Sequence, residues 1–229
     1  DIGIGKREAV KDIAQVVSRY NDIIMARLFE HIHMEVLAEH ATAPVINGLT
    51  DYNHPCQIMA DIFTVMEHRK NLNDIKIVYI GDGNNVANSW INLASKMPMH
   101  LILCSPSGYE PDHKTLENAR NTGISQIELL TDPKAAVKDA DVVYTDVWAS
   151  MGMEAEARAR RKVFLPYQVN SDLMSHAGKN ALVMHCLPAH RGDEITDDVI
   201  DGPQSIVFDE AENRMHVQKA IIVKLLGKA

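Results

Sequence analysis

Cysteine is scarce in this chain of 229 residues: Cys56, Cys104 and Cys186 are the only three, and no two form a C-x-x-C pair. An odd, scattered set argues against a secreted disulfide scaffold and for a reducing compartment. Glycine and proline are also few, 12 and 9, which excludes a collagen-like or low-complexity protein. Apolar runs near the roughly 18 residues of a membrane span are lacking, and so is a charged-then-apolar leader. The expectation is a cytoplasmic chain with no membrane partner. Basic residues are outnumbered, 23 Lys and Arg against 31 Asp and Glu, for a formal charge of −8. Nucleic acid requires a basic face, so no nucleic-acid partner is expected, although a locally basic pocket for a small anion stays open.

What is present is a folding composition. Hydrophobic residues make up 46% of the chain and charged ones 24%, enough for one large α/β unit or two small ones. Val10, Ile13, Val16 and Val17 recur on one helical face. Ile23–Phe29 and Pro44–Leu49 read as strands, His31–His40 and His54–Arg69 as helices. A second series begins at Ile75, with strands predicted at Ile75–Ile80, His100–Cys104, Gln126–Leu130, Asp141–Asp146, Ala181–Cys186 and Ser205–Phe208. Helices are predicted between them at Val86–Lys96, Asp112–Asn121 and Pro133–Lys138. A last helix, Glu210–Leu226, carries Ile221, Ile222, Leu225 and Leu226 as its apolar stripe. Strands alternating with helices imply parallel sheets covered on both faces. The predicted fold is α/β: two doubly wound parallel-sheet lobes, the first incomplete, with boundaries at residues 1–69 and 70–229.

Several runs carry candidate chemistry. Gly81-Asp82-Gly83-Asn84-Asn85-Val86 follows a strand but has valine where a dinucleotide fingerprint needs its third glycine. Asn84 or Asn85 is read as a helix cap, or as an amide offered to a zwitterionic ligand. His54-Pro55-Cys56-Gln57 opens a helix, where an anion or a carbonyl oxygen is favoured; a simple cap is the plainer reading. Asp146-Val-Trp-Ala-Ser150-Met151-Gly152 leaves a strand end with a carboxylate, a hydroxyl and a backbone amide, suited to an amino acid's ammonium and carboxylate. Trp148 reads as packing. His185 and Cys186 point to opposite faces of a strand, so a thiol–imidazole pair is not expected, and zinc-site spacing is absent. Arg27 interrupts an apolar strand, costly unless its charge is paired. Arg214 follows Glu210 and Glu212, whose ion pairing would account for it. His31 and His33 read as surface residues.

The order H-P-C-Q, G-D-G-N-N, D-V-W-A-S-M-G, H-C-L-P and E-A-E-N-R closely resembles the ornithine carbamoyltransferases, over nearly the whole chain. The S-M-G and H-C-L-P runs match the ornithine rather than the aspartate branch. The resemblance implies transfer of the carbamoyl group of carbamoyl phosphate to the δ-amine of L-ornithine, giving L-citrulline and phosphate, without a metal or other cofactor. It implies that Arg27 binds phosphate and carbonyl oxygen, and that His54 and Gln57 hold the carbamoyl group, which Arg214 also reaches. Asn85, Asp146, Ser150 and the backbone of Met151 would bind ornithine's α-substituents. Cys186 and the Leu187 carbonyl would meet the carbamoyl nitrogen and the attacking amine. Of these, Cys186, Asp146, Arg27 and His54 are the expected catalytic set. A homotrimer is implied for the full-length protein. Family members also carry an S-x-R-T phosphate cradle, which is not found in this sequence. The resemblance therefore implies that an N-terminal part is missing and that residues 1–229 alone turn over little. An alternative expectation follows, a non-catalytic ornithine-binding relative with a regulatory or assembly role.

Overall fold

A computed structural model describes residues 5, 7–149 and 156–227. The first lobe runs α1 (Val10–Val17), β1 (Ile24–Arg27), α2 (His31–His40) and β2 (Val45–Leu49). β1 and β2 pair in parallel from Ile24 opposite Val45, with an irregularity between Ala26 and Arg27. Val10, Ala14, Ile24, Met34 and Leu37 form its core. The small number of apolar residues matches a sheet of only two strands.

α3 (Pro55–His68) leads into the second lobe, β3 (Lys76–Ile80), α4 (Asn85–Ala94), β4 (His100–Cys104), α5 (His113–Asn121), β5 (Gln126–Leu130), α6 (Pro133–Val137) and β6 (Val142–Thr145). α7 (Ala157–Phe164), α8 (Ser171–Met174), β7 (Leu182–His185), α9 (Asp197–Ile200) and α10 (Val207–Leu225) complete it. The five strands lie in the order β5-β4-β3-β6-β7, every pair parallel. Alternate residues of the near-continuous apolar strands serve opposite cores, as a sheet buried on both faces requires. Ile77, Tyr79 and Leu103 pack with Ile58, Ile62 and Val65 of α3 and Trp90 of α4. Val78, Ile80 and Ile102 pack with α6, α8 and α9. α10 lies along α3 and against β7, so the last helix and the connecting helix are clamped together over the sheet.

The structure is α/β with parallel sheets, as expected, and it corrects three details. Ser205–Phe208 is not a strand: Ser205 makes one isolated bridge to Val183, and α10 already begins at Val207. Its apolar residues Ile206 and Val207 are buried by packing at a helix start rather than by pairing. The stripe Ile221–Leu226 is not the buried face of α10; burial falls on Val207, Glu210 and Asn213, where the helix meets α3 and β7. His31 and His33 are half-buried, and His31 Nδ1 lies 2.9 Å from Thr50 Oγ1 with its ring against Tyr52.

Candidate active site

The chain runs outward from β3 to β4 and β5, then returns to the other side of β3 at β6. The carboxyl ends of β3 and β6 are thus the switch point at which ligands of such sheets collect. Both carry polar side chains. Asn84 is the cap of α4: its Oδ1 accepts from the backbone N–H of Val86 and Ala87 and from the Tyr79 hydroxyl at 3.1 Å. Its Nδ2 donates to Asp146 Oδ2 at 2.7 Å, while Val147 N–H donates to Oδ1 at 2.8 Å. Cys186, just beyond β7, donates its S–H to the same Oδ1 at 3.1 Å. Burial and then the Asp146 charge push the Cys186 thiol well above its ordinary range. The sulfur is therefore a neutral donor and not a thiolate nucleophile.

His185 is fully buried beside this cluster. Its Nε2 meets Glu194 Oε1 at 3.1 Å and its Nδ1 accepts the Leu187 N–H at 2.9 Å. The ligand atoms of Asp146, His185 and Cys186 lie within 4.8 Å of one another. Because both ring nitrogens of His185 already have partners, this is a poor donor set for a cation. The sequence expectation that His185 does not activate Cys186 agrees with this geometry.

The opposite wall comes from the first lobe and α3. His54 precedes Pro55, the first residue of α3, and its backbone N–H donates to Ser89 Oγ at 2.7 Å. The ring is buried, and its Nδ1 is without a hydrogen-bond partner among the described residues. Burial first, then the charges of Arg214 and Arg27, bring its pKa down to about 4, so the imidazole is neutral at physiological pH. Gln57, one turn on, accepts from Arg214 Nη1 through Oε1 at 2.5 Å. The expected ion pairing of Arg214 with its neighbouring glutamates is thus replaced by a hydrogen bond to an amide; Glu212 lies instead 3.2 Å from His216. Arg27 ends β1 exposed on the cavity wall, with no ion pair or hydrogen bond among the described residues. The cost expected for a buried arginine does not arise, because this one is not buried. Asn85 donates from Nδ2 to the Thr50 carbonyl at 2.8 Å, joining the lobes.

These groups line one cavity of 730 Å³, which holds Arg27, His54, Gln57 and Arg214 opposite Asn85, Asp146, Cys186 and Leu187. Ser150 and Met151 lie outside the described residues. Sequence reasoning missed Asp61, Glu210 and the pair Asp82–Arg160. Arg160 Nη2 lies 2.5 Å from Asp82 Oδ2, its Nε bonds the Trp148 carbonyl, and its guanidinium covers the Tyr109 ring. Asp61 had one available signal, since four residues from Gln57 places it on the same helical face.

Residues 73–225 match the model of the aspartate/ornithine carbamoyltransferase Asp/Orn binding domain, and residues 1–67 that of the carbamoyl-P binding domain. The chain belongs to the aspartate/ornithine carbamoyltransferase family. The chloroplastic ornithine carbamoyltransferase of Pisum sativum is 58% identical over 100% of this chain and 61% of its own length. The ornithine carbamoyltransferase of Chlorobaculum tepidum is 56% identical over 99% of this chain and 67% of its own length. Among solved structures, the ornithine carbamoyltransferase of Pyrococcus furiosus superposes with a TM-score of 0.92 at 53% identity, over 99% of this chain and 73% of that one. The anabolic enzyme of Campylobacter jejuni gives 0.94 at 35% identity, over 100% and 77%.

Family membership corrects one expectation. Residues 1–67 match the carbamoyl-P binding domain model, so the expectation of a missing N-terminal part is not borne out. The alternative of a non-catalytic relative gains no support from relatives that carry the enzyme's name. Among the described residues, no helix is long and apolar enough to cross a membrane.

Proposed function

We propose that the protein transfers the carbamoyl group of carbamoyl phosphate to the δ-amine of L-ornithine, releasing L-citrulline and phosphate. The observation that carries this reading is one cavity in which two arginines and a neutral imidazole face a thiol hydrogen-bonded to a carboxylate. In this assignment Arg27 meets the phosphate and the carbonyl oxygen, and His54, Gln57 and Arg214 hold the carbamoyl group. Asn85, Asp146, Ser150 and the Met151 backbone receive the α-amino and α-carboxylate groups of ornithine. The Leu187 carbonyl and the Cys186 sulfur accept N–H groups of the carbamoyl nitrogen and the attacking amine.

The chemistry is an addition followed by an elimination. The neutral δ-amine forms a C–N bond to the carbonyl carbon, and negative charge collects on the carbonyl oxygen, where donors already in place from Arg27 and His54 stabilise it. The carbonyl re-forms, the bond from carbon to the phosphate oxygen breaks, and the proton from the attacking nitrogen leaves on the phosphate. A neutral imidazole suits this role because it gives an N–H to the oxyanion without repelling the two guanidinium groups beside it. The neutral thiol suits the amine, since its S–H is committed to Asp146 and its lone pairs remain to accept. In this reading the assembled protein is a homotrimer of the chain, working in the cytoplasm.

Citrulline formation from the two substrates by the complete protein tests the proposal, and its absence overturns it. Arg27→Ala is expected to raise the KM for carbamoyl phosphate at least ~tenfold, from loss of a charge-assisted contact, with a smaller effect on ornithine. Equal effects on both substrates would count against the assignment.

A further inference from the structure

Beneath the cavity lies a group of side chains with no part in the assignment above. Asp61 and Glu210 are both entirely buried, and one amide nitrogen serves both: Gln57 Nε2 lies 2.7 Å from Asp61 Oδ1 and 3.2 Å from Glu210 Oε1. Two ionised carboxylates sharing one donor, without a cation bonded to either, would be prohibitively repulsive in a buried site. The donors around them are few and neutral. The Tyr144 hydroxyl donates to Glu210 Oε1 at 3.3 Å, and the His185 backbone N–H to Oε2 at 3.0 Å. Asp61 Oδ2 is enclosed and meets no donor among the described residues, so a proton can sit on it without displacing a donor.

We propose that Asp61 and Glu210 share one proton and act as a positioning pair, turning the Gln57 amide so that its oxygen faces Arg214 and the cavity. An amide oriented the other way would set its oxygen against two acids and its NH₂ against a guanidinium, which has no acceptor to offer. The shared proton also governs Arg214. Glu210 stands four residues before Arg214 on α10, the spacing of a helical ion pair, yet the guanidinium bonds Gln57 and its Nε is unpartnered among the described residues. While the pair carries a single charge, neutral donors satisfy Glu210 and Arg214 stays at the cavity. A second charge would draw Arg214 back onto Glu210 and away from an anionic ligand.

Burial raises both acids, and the Asp61 charge raises Glu210 further, so the proton is held through neutrality and lost on the alkaline side. The other titratable groups facing the pair are Tyr144 on β6, with Asp146 beyond it, Cys186 after β7, and Arg214 on α10. Tyr144 and Cys186 are themselves pushed well above their usual values by burial. His54 titrates far below the range concerned.

The consequence for carbamoyl phosphate rests on the proposed transferase reading, and the experiment separates the two. Calorimetric titration of the complete protein with carbamoyl phosphate should show affinity falling at least ~tenfold as pH rises through the ionisation of the pair, a loss on the scale of one charge-assisted contact. Asp61→Leu removes the acceptor that orients Gln57 and should weaken binding at all pH values. Asp61→Asn, an amide that stands in permanently for the protonated acid, should recover most of that loss and abolish the alkaline fall. An alkaline fall that persists in Asp61→Asn belongs to Tyr144 or Cys186 and overturns the proposal. Infrared spectroscopy tests the shared proton without any ligand. A protonated-carboxyl stretch should be present near neutrality in the wild type and altered in both Asp61→Asn and Glu210→Gln. Its absence from the wild type overturns the pair, whereas its presence in a protein that binds no carbamoyl phosphate removes only the transferase reading.

Discussion

At the scale of single residues, chemistry is set less by residue type than by what surrounds each side chain. Cys186 belongs to a residue type known for nucleophilic attack, but burial and Asp146 keep its thiol protonated. Thiol reactivity follows the thiolate fraction, so Cys186 should be alkylated by iodoacetamide far more slowly at neutral pH than a free thiol. Replacing Asp146 with Asn removes the adjacent negative charge and should accelerate that alkylation several-fold. Peptide mapping after timed labelling measures both rates, and an unchanged rate in Asp146→Asn would show that the carboxylate is not what holds the thiol protonated. Asp146, Cys186, His54 and Gln57 were legible in the sequence because each sits at a strand end or a helix start, where polar residues stand out against apolar runs. Asp61 and Glu210 were not, because a carboxylate on a helix normally reads as solvated surface. Only the tertiary meeting of α3 and α10 buries them.

At the scale of elements, the strands of the second lobe were readable nearly to the residue. Their apolar runs are bounded by polar or turn residues, and a sheet buried on both faces leaves little choice of register. Legibility failed where local pattern and tertiary role diverge. Ser205–Phe208 has the composition of a strand, yet its hydrophobic residues are used to seat the start of α10. α7 was not foreseen because its sequence, ARARRKVF, is dominated by charge and buries only Arg160 and Phe164. One glycine in the turn after β3 is required by geometry. A Cβ on Gly83 would stand 2.2 Å from the Pro111 nitrogen and 2.3 Å from the Glu110 carbonyl carbon, both backbone atoms with no freedom to rotate away. Gly83→Ala must therefore displace the 109–111 loop or the turn, with a cost of about 1–3 kcal/mol, as for other overpacked sites. Thermal unfolding should show the lowered midpoint. Because Gly83 N–H also bonds the Tyr109 carbonyl, the same change should perturb the wall of the cavity beside Asn84.

At the scale of the whole molecule, the site's unusual ionisations make folding stability depend on pH in a way that can be dissected. His54 has its folded pKa depressed from 6.5 to about 4. The unfolded chain therefore binds more protons between those values, and stability from this group is present above 6.5 and lost as pH falls toward 4, by about 3 kcal/mol in full. Asp61 and Glu210 have the opposite sign. Their folded pKa values are raised, so the folded protein binds more protons than the unfolded chain above the ordinary carboxylate range, and stability falls as pH rises. With one proton retained by the pair and one excluded from His54, the two slopes nearly cancel between about pH 4 and pH 6.5. Above that window His54 no longer contributes, and the pair alone makes stability decline. Asp61→Asn removes the repulsion that keeps the proton on the pair, leaving Glu210 among its three neutral donors. The variant keeps the burial that raises Glu210 and loses only the repulsion, so its decline should level off at a lower pH than that of the wild type. Urea unfolding across the pH range measures both curves, and parallel curves for wild type and variant would show that the acids beneath the cavity carry no shared proton.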